Sequence, residues 1–320
     1  MASTRKSKAN SSKAELLRGK NQKWKQVKND YVLYIMLLLP IIYLIVFKYV
    51  PMTNIIIAFK NYNIFKGVWD SPWVGLDIFK QVFATDGFYR ALRNTIVLNF
   101  LDLIFGFPAP IILAILLNEI CFKRFKKITQ TIIYMPHFLS WIIISGIAMQ
   151  VFAPNTGIVN LVLRGLGMPA VPFLNEPVHW VISYVLIGVW QGVGWNTIIY
   201  LAAITGVNIE LYEAAVVDGA NRWKKIWHVT LPGIRPTVVT LLILNLGRIL
   251  SISFDRPYAM GNYFVTDVAD VISTFVYRVG IQSQQYSLAT AVGLFQSLVC
   301  IIFLVAANFI AERMGEDGIM

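Results

Sequence analysis

Charge is what this sequence has least of. Asp, Glu, Lys and Arg make up 14% of its 320 residues, 57% are hydrophobic, and the mean hydropathy is +0.61. A soluble domain carries roughly 25% charged residues, so too few polar side chains are present to cover a water-facing surface of this size. Soluble enzyme, nucleic-acid binder and disordered linker are all disfavoured, and the bilayer is the expected solvent. Cysteine is nearly missing as well. Cys121 and Cys300 stand alone, with neither metal spacing nor a disulfide framework around them. The three histidines, His137, His179 and His228, are scattered and read as structural or interfacial. A phosphate-wrapping loop needs G-x-x-x-x-G-K-[ST], whereas the only Gly-Lys pair, Gly19-Lys20, is followed by Asn. HExxH, GxSxG and paired-cysteine zinc patterns do not occur, so no metal, cofactor or catalytic group is expected on this chain.

Long apolar runs are what the chain has in quantity. About 20 residues at 1.5 Å each cross the hydrocarbon core, and six runs approach that length, at about 31–47, 94–117, 131–153, 180–204, 237–254 and 287–310. The first is short but continues to Phe59 beyond Lys48, and the fifth is interrupted by Asn245 and Arg248. Backbone groups cannot stay unpaired in lipid, and continuous apolar runs do not suit the alternation of a membrane barrel, so helices are predicted. No small-residue cleavage site follows the first run, which therefore reads as a retained span rather than a signal peptide. Pro40, Pro108 and Pro110 fall inside spans and predict kinks.

The net charge of +11 is a topology signal. With the N-terminus inside, 18 of the 28 Lys and Arg fall in inner segments, 9 of them in residues 1–30, against 9 in outer segments, with Arg248 left within a span. That asymmetry orients both termini toward the cytoplasm. The expected organisation is a basic, disordered tail over 1–30, attracted to anionic lipid, a six-helix membrane domain over 31–310, and a short cytoplasmic tail over 311–320.

The inner loop over 207–236 is long for a link between neighbouring spans. Glu210 and Glu213 sit near the start of a short helix, where its dipole favours them. Ala214 and Ala215 permit close approach by another surface, and Gly219 permits a tight turn. Trp223, Ile226 and Trp227 then recur at helical spacing, on a helix that Pro232 is expected to end. On pattern alone, a helix lying flat on the membrane is an alternative.

Glu-Ala-Ala, three residues, Gly, nine residues, then Val-Thr-Leu-Pro resembles the EAA loop of type I ABC importer permeases, with Val229 where Ile is usual. Glu213, Ala214, Ala215, Asp218, Gly219, Ala220, Leu231 and Pro232 match that pattern. The resemblance extends through nearly the whole chain after the leader, in stretches that include Arg93-Asn-Thr95, Phe107-Pro-Ala-Pro110, Asp270-Val-Ile and Tyr277-Arg-Val-Gly280. These are similar to the branch serving complex oligosaccharides and polysaccharides. Phe254-Asp255-Arg256 departs from it, since Phe-Glu-Gln is expected there. The resemblance implies an all-α, six-helix permease of the bacterial cell membrane. It implies coupling helices that dock on a cytoplasmic ATPase, a second homologous permease, two ATPase subunits carrying ATP and Mg, and an extracytoplasmic sugar-binding protein.

Polar groups inside spans are costly and usually face a cavity or another helix. Tyr184, Gln191 and Trp195 share one face of the fourth span, with Gly188 leaving space and Trp190 and Asn196 at the flanks. Aromatic rings and amides suit a carbohydrate path, and equally suit helix packing. Asn245 and Arg248 form a second patch, where the arginine could meet an acidic sugar or pair with Asp102 or Asp255. A proton- or sodium-coupled secondary transporter, with Asp102 carrying the coupling charge, is the alternative; it predicts inverted repeats, and none is evident.

Overall fold

A helix that is apolar all round is stable only where lipid or another protein replaces water. The segment Tyr31–Phe59 (α1) is of this kind: none of the residues in its first part, Tyr31–Leu44, is buried. The computed structural model describes residues 30–315 and residue 318, so the basic tail expected over 1–29 lies outside the described residues, as do positions 316, 317, 319 and 320 of the C-terminal tail. The chain divides after Ile56 into two compact units.

In the second unit the long helices are α2 (Asp86–Asn118), α3 (Lys123–Phe138), α4 (Trp141–Val151), α5 (Pro177–Thr205), α7 (Arg222–Leu246) and α9 (Tyr286–Arg313). Two short helices matter to function, α6 (Ile209–Val217) and α8 (Asp255–Met260). Among the described residues the only β features are two isolated bridges, Lys60–Trp73 and Asn63–Gly67. Among the described residues, five helices are long and apolar enough to cross a membrane, or six if α3 and α4 count as one span.

Three expectations are corrected. The run 131–153 is not one helix, because α3 and α4 meet at a 103° bend. Pro136 removes a helix hydrogen bond and sits in a 3-10 turn, Leu139 is extended, and the Ser140 hydroxyl accepts from Ile143 N–H at 3.4 Å to start α4 anew. The run 237–254 is helical only to Leu246. Beyond Gly247 its backbone leaves the helix, and two carbonyls are satisfied from other spans: Asn99 Nδ2 donates to Ile249 O (2.6 Å) and Gln296 Nε2 to Leu250 O (2.8 Å). Such partners allow irregular backbone at membrane depth. Lastly, Pro232 does not end a helix. A wide turn over Ile226–Thr230 sets the register so that Pro232 falls in the first turn of Leu231–Leu246, where a missing N–H is harmless.

Several stretches that carried the resemblance turn out to hold the fold together at one end of the bundle. Asn94 Nδ2 donates to the carbonyls of Asp267 (2.8 Å) and Asp270 (2.9 Å), and Thr95 Oγ1 accepts from Ile272 N–H (2.9 Å). The Asp270 carboxylate is buried and takes a two-pronged contact from Arg278 at 3.0 and 2.7 Å. Around it Phe88, Ala91, Ile272, Phe275 and Val292 form one apolar cluster. A second cluster packs Ala114, Tyr200, Ile204 and Ile234 beneath the loop between α5 and α7.

Candidate functional site

The loop between α5 and α7 is a compact pair of helices. Asn208 caps α6, its side-chain oxygen accepting from Glu210 N–H at 3.0 Å. The helix stops at Gly219, whose φ of +72° is open to glycine and strained for other residues. Ala220 N–H reaches back to Ala215 O (2.8 Å) and Gly219 N–H to Val216 O (3.0 Å), the bonding that closes a glycine-terminated helix. Asn221 then caps α7 through Lys224 N–H at 2.9 Å. One bond ties the two helices together, between the Tyr212 hydroxyl and the buried Thr230 Oγ1 at 3.0 Å. Gly233 lies against Val207, and a Cβ there would come within 2.7 Å of that side chain, so the loop is pinched at its base.

On this scaffold Glu213, Ala214, Asp218, Gly219 and Pro232 are exposed, and Ala215, Ala220 and Leu231 are half-buried. Val217, Trp223 and Trp227 stand out from the surface, Val217 at 87% exposure. A Cβ on Gly219 would meet no atom within 4 Å. The loop therefore presents small, acidic and bulky apolar groups together on a pre-shaped surface.

The second feature is a cavity of about 330 Å³ between α2, α5 and α7. Its polar lining comes from Asn99, Asp102, Asn196, Asn245, Arg248 and Arg256, with Ser251 at the unwound end of α7. Asp102 lies 16 residues from either end of α2, about 24 Å along the helix each way, hence deep in the span. It sits in a wide turn, Asp102–Gly106, that precedes Pro108. Asp102 is engaged by Arg256 of α8, with Nη1 to Oδ2 at 2.6 Å and Nη2 to Oδ1 at 3.2 Å. The same guanidinium donates to Tyr184 O at 2.5 Å and lies 3.6 Å from the centre of the Tyr184 ring. It fills the space beside Gly188, where any Cβ would overlap it.

The structure brings Asn196, Asn245 and Arg248 to this cavity, and not the other four path candidates. Tyr184 is fully buried behind the wall, stacked on Trp180 at 4.8 Å. Trp195 stacks on His137 at 4.6 Å, Gln191 points to the His137 carbonyl at 3.5 Å, and Trp190 lines an apolar surface groove with residues of α2 and α3. The cavity face of α5 runs through Gly188, Gly192, Asn196 and Ile199, about a quarter turn from the face through Tyr184, Gln191 and Trp195 at 3.6 residues per turn. Gly188 leaves space as expected, but Arg256 occupies it. Sequence reasoning did not single out Asn99, Ser251 or Arg256 for the lining. Arg256 had a signal, as the departure at 254–256, yet its pairing with Asp102 needed the fold of α8 back onto α5.

Residues 83–316 match the family described as binding-protein-dependent transport system inner membrane components. The chain is 44% identical to protein LplB of Bacillus subtilis (strain 168) over 95% of its own length and 96% of that protein. It is 43% identical to the polygalacturonan/rhamnogalacturonan transport system permease protein YteP of the same organism, over 92% of each. Among solved structures, a chain of a bacterial alginate ABC transporter in complex with an alginate pentasaccharide-bound periplasmic protein superposes with a TM-score of 0.84 at 40% identity, covering 92% of this chain and 99% of that one. With the helical bundle, the loop and these similarities together, the chain belongs to the family of binding-protein-dependent inner membrane transport components and is a multi-pass permease subunit of an ABC importer.

Proposed function

We propose that this permease moves oligosaccharides or polysaccharide fragments inward, as one half of a pore completed by a second, homologous permease. An extracytoplasmic sugar-binding protein delivers the cargo, and two ATPase subunits, which hold ATP and Mg, drive the switch between outward and inward access. Both termini and the 207–236 loop face the cytoplasm. The observation that carries this reading is the α6–α7 loop. Glu213, Ala214, Ala215, Asp218, Gly219 and Ala220 lie on a capped, pinched and solvent-open pair of helices, joined without a break to a span that ends at the polar cavity. Two similar proteins, a polygalacturonan/rhamnogalacturonan permease and an alginate transporter, support a sugar-polymer cargo. The secondary-transporter alternative is set aside by the family match, and Asp102 is held by Arg256.

The test acts on the loop. Gly219→Val strains the left-handed turn without filling any packed space, and Glu213→Lys reverses the charge of the contact surface. Each should lower uptake by roughly 5–150-fold, the span of ordinary coupling between sites, with membrane insertion intact by protease protection. Normal uptake in both variants removes the coupling role.

A further inference from the structure

We propose that Arg248 makes the cavity selective for anionic sugars, binding the carboxylate of an acidic oligosaccharide as it passes; this rests on the oligosaccharide reading above. Three charged side chains line the cavity, Asp102, Arg248 and Arg256. The first and last are consumed by one another in a two-pronged ion pair at 2.6 and 3.2 Å. Asp255, next to Arg256 in sequence, is exposed and does not line the cavity. Arg248 is exposed, and among the described residues its guanidinium has no carboxylate or hydrogen-bond partner. The lining therefore carries one net positive charge.

An unpaired cation lining a cavity among membrane helices is costly and marks a pathway for its counter-charge. The backbone around Arg248 explains how it is presented. α7 ends at Leu246, the chain turns over the next four residues, and Asn99 and Gln296 hold the carbonyls of Ile249 and Leu250. The guanidinium thus projects from a fixed, unwound corner. Its planar fork matches a carboxylate in two parallel hydrogen bonds, which an ammonium does not do.

The neighbours suit the remainder of a sugar. Asn196 and Ser251 make no side-chain hydrogen bond among the described residues. Asn245 uses one amide hydrogen on Leu241 O at 2.7 Å and keeps its carbonyl oxygen. An amide and a hydroxyl beside a guanidinium can take sugar hydroxyls next to the carboxylate. The volume, about 330 Å³, is at the small end of the roughly 300–1,000 Å³ of ligand pockets, enough for part of a chain at a time.

The experiment uses the complete transporter, with its permease and ATPase partners, purified in nanodiscs without the binding protein, so that the binding protein's own preference does not enter. Binding of trigalacturonate and of its fully methyl-esterified form is measured by thermophoresis. The acid should bind roughly tenfold to a hundredfold tighter than the ester, the range for hydrogen bonds to charged groups, and less tightly as salt rises. Arg248→Gln should erase that preference by weakening acid binding, with thermal stability unchanged, while Arg248→Lys should keep part of it. Equal binding of acid and ester by the unaltered complex, or a preference that survives Arg248→Gln, overturns the assignment. Failure of both probes to bind the unaltered complex instead overturns the oligosaccharide reading, and the role of Arg248 with it.

Discussion

Arg256 spends nearly all of its guanidinium on partners inside the bundle: two oxygens of Asp102, the Tyr184 carbonyl and the Tyr184 ring. The pair is only partly shielded, with the Asp102 side chain 29% exposed, so its worth lies below that of a fully buried ion pair. Its members should nonetheless be coupled, because removing either leaves the other with an unmatched charge. Asp102→Asn and Arg256→Gln should each lower the melting temperature in detergent. The double variant should lose less than the two single losses combined, by about 0.5–3 kcal/mol; strict additivity would mean that the two side chains do not support one another. The sequence displayed all three ionisable groups of the cavity, and a pairing of Asp102 with Arg248 was open on spacing alone. What decided for Arg256 is a long-range contact across 154 residues, which no local periodicity encodes.

Elements were legible where their cause is local. Continuous apolar runs overlapped each long helix but missed the starts of α3 and α7. Gly219, with Ala214 and Ala215 before it, marked the turn of the loop, whereas the cap at Asn208 was not read from the sequence. Element ends were less legible, because they depend on partners distant in sequence. The fifth span stops where amides of α2 and α9 can hold its carbonyls, and the third is split where Pro136 and the cap at Ser140 coincide. The crossing of α3 over α5 has a similar origin. Gly194 is buried, and a Cβ there would fall on the Ile133 backbone carbonyl, which cannot rotate away as a side chain would. Gly194→Ala should therefore force the two helices apart and cost about 1–3 kcal/mol, as overpacking does, seen as a lower melting temperature and folded yield. Gly146→Ala, in α4 with nothing within 4 Å, should leave both unchanged or slightly raised. Equal effects of the two would refute close approach at Gly194.

For the whole molecule, the scarcity of charge and the many exposed apolar side chains have one explanation, a surface built for lipid and for neighbouring subunits. Orientation in that lipid has a direct test supplied by the two cysteines. Cys121 is exposed in the segment between α2 and α3, on the cytoplasmic side in the proposed orientation, whereas Cys300 is half-buried within α9. A membrane-impermeant maleimide should label Cys121 in inverted vesicles and not in intact cells. Labelling from outside would reverse the topology and put the 207–236 loop on the wrong face for an ATPase.

Arg222–Leu246 is a single helix of 25 residues, about 37 Å long, with the Tyr212–Thr230 bond bracing it at one end and the cavity at the other. On the coupling proposed above, such a helix would carry a push from the loop toward the cavity. Axial travel imposed at Trp223 would reach Leu246 through the wide turn at Ile226–Thr230 and past Pro232 and Pro236, where the hydrogen-bond ladder is weakest. Past Gly247 the chain leaves the helix, and the two amides on Ile249 and Leu250, with Leu304 packed against Leu246 and Gly247, tie it to α2 and α9. A stroke from the loop would then move the corner that carries Arg248 together with α2 and α9 rather than by itself.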